Sequence, residues 1–305
     1  MVRISFERRG VGSRAGLVSP GRGREPDPLW PNTLTLALSQ PYCGIAVGDR
    51  PGSRRLAAVV FDVDGTLVDS ERDGHRVAFN RAFEDFELPY RWDEDLYGRL
   101  LRVTGGQRRI DGYLAEQGVD EAERARLAPA LHRHKTDILR SMVADGLIEP
   151  RPGVVRLLAE LTEAGCRLAV ATTGSRGWVN QLLERVLPEV SFEVVVTGDE
   201  VGGRKPDPEA FVTALERLGT TIADTVAVED SHEGLTAAKA AGLACVVVTN
   251  GYTADHDLAP ADLILDGFGE PDRPARVVAD PHGTGCTGVL DVDALARLIP
   301  YENRG

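Results

Sequence analysis

The chain has 305 residues, 42% of them hydrophobic and 27% charged, which is enough for a large core and more than one compact unit. Its net charge of −12 argues against nucleic acid or an anionic membrane as the main partner. No apolar run reaches the ~20 residues that span a bilayer. The first residues lack the charged-then-apolar order of a secretory leader.

Residues 1–55 carry nine arginines against four acidic residues and are rich in Gly, Pro and Ser, so a largely disordered extension is expected there. From Leu56 the pattern changes. Short apolar runs, most of them rich in valine, occupy 57–61, 168–171, 194–196, 226–228, 245–248 and 263–265. Each is bounded by turn-forming or polar residues, the mark of buried parallel strands. Helical patterns alternate with them at 154–164, 179–186, 209–218 and 233–241. The expected fold is α/β, a Rossmann-like doubly wound parallel sheet. The stretch 70–149 interrupts the alternation with helical patterns only, at 76–86, 93–101, 107–117 and 121–145. It reads as an all-α cap inserted after the first strand, with the core formed by 56–69 and 150–268. Residues 269–305 read as a tail in which 289–298 has a helical pattern.

Cys43, Cys166, Cys245 and Cys286 are scattered, so reduced thiols in a cytoplasmic protein are expected, without a disulfide frame or zinc site. Gly283-Thr284-Gly285-Cys286-Thr287-Gly288 fits the dinucleotide pattern GxGxxG. It follows Pro281 and opens no clear helix, so it fails that motif's context.

Chemistry gathers at the strand ends, where open α/β sheets bind ligands. The first strand delivers Asp62 and Asp64, followed by Gly65-Thr66. A turn at Gly65 can bring both carboxylates to one centre, one as nucleophile and the other as proton donor and acceptor. The second strand ends in Thr172-Thr173-Gly174-Ser175, hydroxyls and amides suited to phosphate oxygens. After the third comes Lys205, one of only three lysines (with Lys135 and Lys239) in a chain of 32 arginines, in a Gly/Pro-framed loop. An ammonium there fits as a point-charge partner to phosphate and carboxylate. The fourth strand ends in Glu229-Asp230, suited to a hard cation such as Mg²⁺.

This set resembles the haloacid dehalogenase superfamily over residues 56–268. Phe61-Asp62-Val63-Asp64-Gly65-Thr66-Leu67-Val68 matches its first motif, Thr172 the second, Lys205 the third and Glu229-Asp230 the fourth. The resemblance implies that Asp62 attacks phosphorus and that Asp64 protonates the leaving oxygen and then activates water. It implies that Thr172 and Lys205 hold the phosphate, with Thr173 beside them as a further phosphate-binding candidate from its place at the strand end. Mg²⁺ is then held by Asp62, the Asp64 carbonyl and Asp230, with Glu229 in or beside its shell. Dehalogenases lack an acid at the place of Asp64. The phosphonate-cleaving branch needs a cap lysine, and 70–134 contain none.

The cap is similar to that of CbbY-like phosphatases, neighbours of β-phosphoglucomutase. The similarity lies in Glu71 to Asn80, Trp92, Tyr97-Gly98, Val103 to Ile110, His132 to Thr136 and Gly146 to Ile148. CbbY proteins resemble plastid enzymes that dephosphorylate xylulose-1,5-bisphosphate. A bisphosphate needs a second anion site, and the Gly105-Gly106 break before Gln107-Arg108-Arg109 offers free amides and a guanidinium. Arg108 matches the phosphate-binding arginine of the mutases. Asp69, His75 and Tyr97 are expected at the sugar hydroxyls. The mutases' cap-loop lysine falls near Thr104, which favours hydrolysis. The expected protein is a monomeric Mg²⁺-dependent sugar-phosphate phosphatase acting on a small phosphate ester. The alternatives are a β-phosphoglucomutase-like transferase and a phosphoglycolate-type phosphatase.

Overall fold

The computed structural model describes residues 56–103 and 105–299; the N-terminal extension expected at 1–55, Cys43 within it, and Thr104 lie outside the described residues. In chain order, β1 (Ala58–Phe61) leads into a π-helical turn (Ser70–His75) and four helices: α1 (Arg76–Asp85), α2 (Glu94–Leu100), α3 (Gly106–Glu116) and α4 (Glu121–Ala144). Then come α5 (Val154–Glu163), β2 (Arg167–Ala171), α6 (Arg176–Val186), β3 (Val194–Val196), α7 (Glu209–Leu218) and β4 (Thr225–Glu229). The chain continues through α8 (His232–Ala240), β5 (Ala244–Val248), β6 (Leu263–Leu265), β7 (Val277–Ala279) and α9 (Val292–Ala296).

The strands form one sheet in the order β3-β2-β1-β4-β5-β6-β7. All pairs are parallel except β6 with β7. Successive strand residues face opposite sides, so each short apolar run feeds two cores. Val59, Phe61, Leu168, Val170, Val226, Val228, Val246 and Val248 point into the layer covered by α5, α6 and α9. Ala58, Val60, Ala169, Ala171, Ala227, Cys245 and Val247 point into the layer covered by α7 and α8. Burial on both faces explains why these runs are continuous rather than alternating.

The helical segment leaves and rejoins the sheet at one place. Val68 bridges Pro150 in antiparallel fashion, and the Arg151 amide donates to Leu67 O at 2.9 Å. Its helices pack around Phe79, Phe83, Trp92, Tyr97 and Tyr113, an aromatic cluster separate from the two sheet layers. Asp93 and Asp120 cap α2 and α4 by accepting the amides of Leu96 and Glu123. No helix among the described residues is long and apolar enough to cross a membrane.

The C-terminal stretch is more than a tail. β7 adds to the sheet, and Leu290, Ala294, Leu295, Leu298 and Ile299 enter the first core layer. The expected helix is shorter, Val292–Ala296, and is capped by Asp291. Arg156 pins this segment, donating to Gly269 O and Leu290 O, each at 3.0 Å. The GxGxxG loop holds an internal anion: Asp280 accepts the amides of Thr284 (2.9 Å) and Gly285 (3.2 Å). The motif is thereby spent on its own carboxylate.

Leu295 is fully buried against the sheet. Leu295→Ala is expected to lower the free energy of unfolding by about 2–4 kcal/mol in urea titrations, as in a core side chain and not a loose tail.

Candidate active site

Register places the site. Phe61 of β1 lies beside Val170 of β2 and Val228 of β4. Asp62, Thr172 and the Glu229-Asp230 pair therefore leave the sheet along one edge, where the strand order reverses. After Asp62 the chain turns sharply, with Leu67 N donating to Val63 O at 3.0 Å and Gly65 N to Val68 O at 2.7 Å. Gly65 has φ +97°. A Cβ there would lie 2.4 Å from Asp230 Oδ2, so the turn and the carboxylate can meet only over a glycine.

Asp62, Glu229 and Asp230 are 7%, 1% and 5% exposed. Lys205 reaches them from the loop after β3. Its ammonium donates to Asp62 Oδ1 at 2.6 Å and to Glu229 Oε1 at 2.5 Å. Burial lowers the Lys205 pKa, but the charges and hydrogen bonds of Asp62 and Glu229 outweigh it and raise the pKa above its ordinary value. Burial pushes Glu229 up to about 7 against the pull of Lys205. Burial, Glu229 and Asp62 push Asp230 well up. Oxygen atoms of the three carboxylates lie within 4.8 Å of one another. A dry cluster with more carboxylates than cations, all oxygen donors, fits a small hard cation such as Mg²⁺. Lys205 already holds Glu229 Oε1, and the Asp230 amide donates to Glu229 Oε2 at 3.1 Å. Glu229 thus faces the lysine and its own backbone.

The Asp64 carboxylate is not in that trio. Its Oδ1 accepts from Ser70 Oγ at 2.5 Å and Trp178 Nε1 at 3.4 Å. Desolvation raises its pKa to about 6, with Ser70 opposing and the Asp62 charge adding. Thr172 is buried, its Oγ1 accepting the Gly174 amide at 3.1 Å, and Thr173 is exposed at the same edge.

The helical segment presents a cationic wall. Lys135 is 4% exposed, its Nζ 3.0 Å from His75 Nδ1 and 4.8 Å from the Phe79 ring centre. Burial lowers the Lys135 pKa to about 8, with Glu71 opposing and Arg109 adding. His75 is held neutral, its pKa lowered to about 3 by desolvation and the Lys135 charge. Its ring stands edge-on to Trp178 at 5.9 Å. Asp69 pairs with Arg72 at 3.3 Å, and its buried Oδ1 has no hydrogen-bond partner among the described residues.

The expected sugar contact by Tyr97 is not met in this conformation. Tyr97 is fully buried; its hydroxyl donates to Glu71 at 2.5 Å and accepts from Arg109 Nη1 at 3.2 Å. It belongs to the aromatic core and holds Glu71. Arg109 is buried and tied to Leu100 O at 3.1 Å, while Arg108 is exposed. Gly106 opens α3, where a Cβ would lie 2.8 Å from His132 Cδ2.

A model of haloacid dehalogenase-like hydrolases matches residues 56–242. The chain belongs to this family. Among its members this hydrolase is 40% identical to a CBBY-like protein of Arabidopsis thaliana over 223 residues, 70% of each chain. The crystal structure of CbbY from Rhodobacter sphaeroides with phosphate is 41% identical, with TM-score 0.60, over 70% of this chain and 94% of that one. A mutant of the same CbbY, solved with xylulose-(1,5)bisphosphate, is 40% identical over the same shares, with TM-score 0.59.

Sequence reasoning missed several groups at this hydrolase's site. Ser70 and Trp178 hold Asp64, Arg109 and Glu71 organise the cap wall, and Asn250 donates to Asp230. Lys135 stands one place beyond the lysine-free stretch. Its rarity in an arginine-rich chain and its place in the CbbY-like stretch His132 to Thr136 are the available signals.

Two expectations follow. Gly65→Ala forces a strained backbone and an overlap with Asp230, costing about 3 kcal/mol or more in denaturant titrations. Lys135 opposes folding at neutral pH. The unfolded chain keeps this proton to pH 10.5, the folded protein only to about 8. The cost is complete below pH 8 and fades as pH rises to 10.5. Lys135→Met should therefore stabilise the protein at pH 7, by about 2–3 kcal/mol, and lose that advantage near pH 10.5.

Proposed function

We propose that this hydrolase is a Mg²⁺-dependent phosphatase of a small sugar phosphate or bisphosphate, working through an aspartyl-phosphate on Asp62. The carrying observation is the division between two aspartates of one turn. Asp62 is held by Lys205 at 2.6 Å, while Asp64 is turned to Ser70 and Trp178 with a pKa of about 6. A carboxyl titrating near neutrality can give a proton in one step and take one in the next.

In the first step an Asp62 carboxylate oxygen bonds to phosphorus and the phosphorus–sugar oxygen bond breaks. Asp64 gives its proton to the departing sugar oxygen. In the second step water attacks the acyl phosphate, Asp64 takes the water's proton, and free phosphate and the Asp62 carboxylate return. Lys205, Thr172 and Thr173 hold the phosphate oxygens. Bound at Asp62, the Asp64 carbonyl and Asp230, Mg²⁺ supplies the positive charge that lets a carboxylate approach a phosphate dianion.

The second wall supports the substrate class. Lys135, with Arg109 behind it, offers charge to an anion that the carboxylate cluster would repel. A ligand with two phosphates satisfies both sites, and a CbbY relative holds xylulose-1,5-bisphosphate. His75, Asp69 and the exposed Arg108 are the remaining cap groups for the sugar and its second phosphate.

A panel of xylulose-1,5-bisphosphate, fructose-1,6-bisphosphate, phosphoglycolate and hexose phosphates, read by phosphate release with Mg²⁺, tests the reading. Release is expected to be fastest from a bisphosphate. Asp62→Asn should lower it by more than about a thousandfold. Full activity in Asp62→Asn sinks the mechanism. Glucose 6-phosphate formed from β-glucose 1-phosphate and a bisphosphate primer would mark a mutase instead.

The pH profile tests the cap. Above pH 8 Lys135 loses its proton and its pull on an anion, so kcat/KM for a bisphosphate should fall with an apparent pKa of about 8. Lys135→Met should lack that limb and show a raised KM throughout.

A further inference from the structure

The loop after β5 runs from the carboxylate cluster to the helical cap. Asn250 uses its whole amide: Nδ2 donates to Asp230 Oδ2 at 2.8 Å and to Gly65 O at 3.3 Å, and Oδ1 accepts the Tyr252 amide at 2.8 Å. Its backbone is closed into a turn, with Asn250 N donating to Thr253 Oγ1 at 3.0 Å. The other side-chain bond to Asp230, from Thr66 Oγ1 to Oδ1, is long at 3.4 Å. The shorter bond from Asn250 therefore sets how the Asp230 carboxylate faces the cluster.

Two residues along, Tyr252 meets α2. Its ring centre lies 5.8 Å from that of Tyr97 at 66°. A Cβ on Gly98 would stand 3.1 Å from Tyr252 Cδ1, so the ring comes as near to this helix as a glycine allows. Arg76 lies beside the Tyr252 hydroxyl, and its charge opposes the desolvation that pushes the phenol's pKa up to about 12. Yet among the described residues neither buried Tyr252 Oη nor buried Arg76 Nε has a well-formed hydrogen bond. The contact is carried by the ring, with unspent polar atoms at its edge.

We propose that Asn250 and Tyr252 are positioning residues, a strut through which the helical cap, seated on Tyr252 at Gly98, holds the Asp230 carboxylate in its cation-binding orientation. The strut rests on the reading of Asp62 and Asp230 as Mg²⁺ ligands. It predicts that a substitution at the cap contact, which touches no ligand, changes affinity for the cation.

Mg²⁺ is titrated into the full chain and followed by calorimetry, with turnover measured separately. Asn250→Ala is expected to weaken Mg²⁺ binding about tenfold, as loss of a group orienting a metal ligand does. Tyr252→Ala should weaken it about threefold, and Tyr252→Phe, which keeps the ring, should stay within about twofold of the parent chain. The double variant should bind no more weakly than Asn250→Ala alone, because both act through one carboxylate. Should Tyr252→Ala not fold, Gly98→Val displaces the same ring from the other side and should weaken binding likewise. Unchanged Mg²⁺ affinity in the folded contact variant, or costs that simply add, overturns the strut. A parent chain that binds no Mg²⁺ overturns the ligand reading beneath it, and the strut with it. A parent that binds Mg²⁺ and releases phosphate while the contact variants bind equally well overturns the strut alone.

Discussion

A charged lysine between two buried carboxylates is the contact on which the site depends. Lys205 spans Asp62 and Glu229 at 2.6 and 2.5 Å, with none of the three side chains more than 10% exposed. Desolvating such groups costs several kcal/mol each, and an apolar replacement of the same shape is often as stable. The cluster is thus poor value as a stabilising device. Its worth lies in keeping Asp62 and Asp230 side by side and dry, where an added cation or phosphate is felt strongly.

Holding that cluster is the work of the sheet. β1 is only four residues long and wholly buried, and it pairs on both sides in register. A slip of one residue would send Asp62 to the opposite face of the sheet. Gly65 then lets the turn come against Asp230, and Arg151 locks it, donating to Gly65 O at 2.5 Å, Val248 O at 3.0 Å and Thr249 O at 2.6 Å. Arg151 is also the residue at which the chain returns from the helical segment. The hinge of the insertion and the floor of the site are thereby the same few residues.

Much of this was legible in the sequence, for a physical reason. Strands buried on both faces write themselves as unbroken apolar runs, and the residue that follows each run must lie at the sheet edge. Asp62, Thr172 and Glu229-Asp230 were found that way. β7 was not: Val277 and Ala279 are partly buried and Val278 is exposed at the rim of the sheet, in a stretch where Gly269 and Gly288 serve close backbone contacts. Helical spacing marked α1 to α4 but could not say which polar residue turns inward. Tyr97 and Arg109 are buried by contacts with Glu71 and Leu100 O, and Arg108 stays outside, although 108 and 109 look alike on paper. Trp178 reaches Asp64 through the fold, across more than a hundred residues, and no local pattern carries such a pairing, while Ser70 reaches it from the turn that follows β1.

The distribution of lysine ties these strands of argument together. A chain of net charge −12 that acts on an anion needs positive charge placed locally. Arginine, abundant here, keeps its charge wherever it lies, whereas a buried lysine responds to its neighbours. Lys205, among carboxylates, is driven to stay protonated; Lys135, buried with Arg109 nearby and only partly offset by Glu71 and Asp64, is lowered to about 8. One belongs to the carboxylate floor and the other to the helical wall beside Asp64. The floor sets three carboxylates against Lys205, with Glu229 and Asp230 pushed towards protonation, and the wall sets Lys135 and Arg109 against Glu71. On the proposed reading, a cation relieves the floor and the distal phosphate of a substrate relieves the wall, so the ligand that completes both is one with two anionic ends.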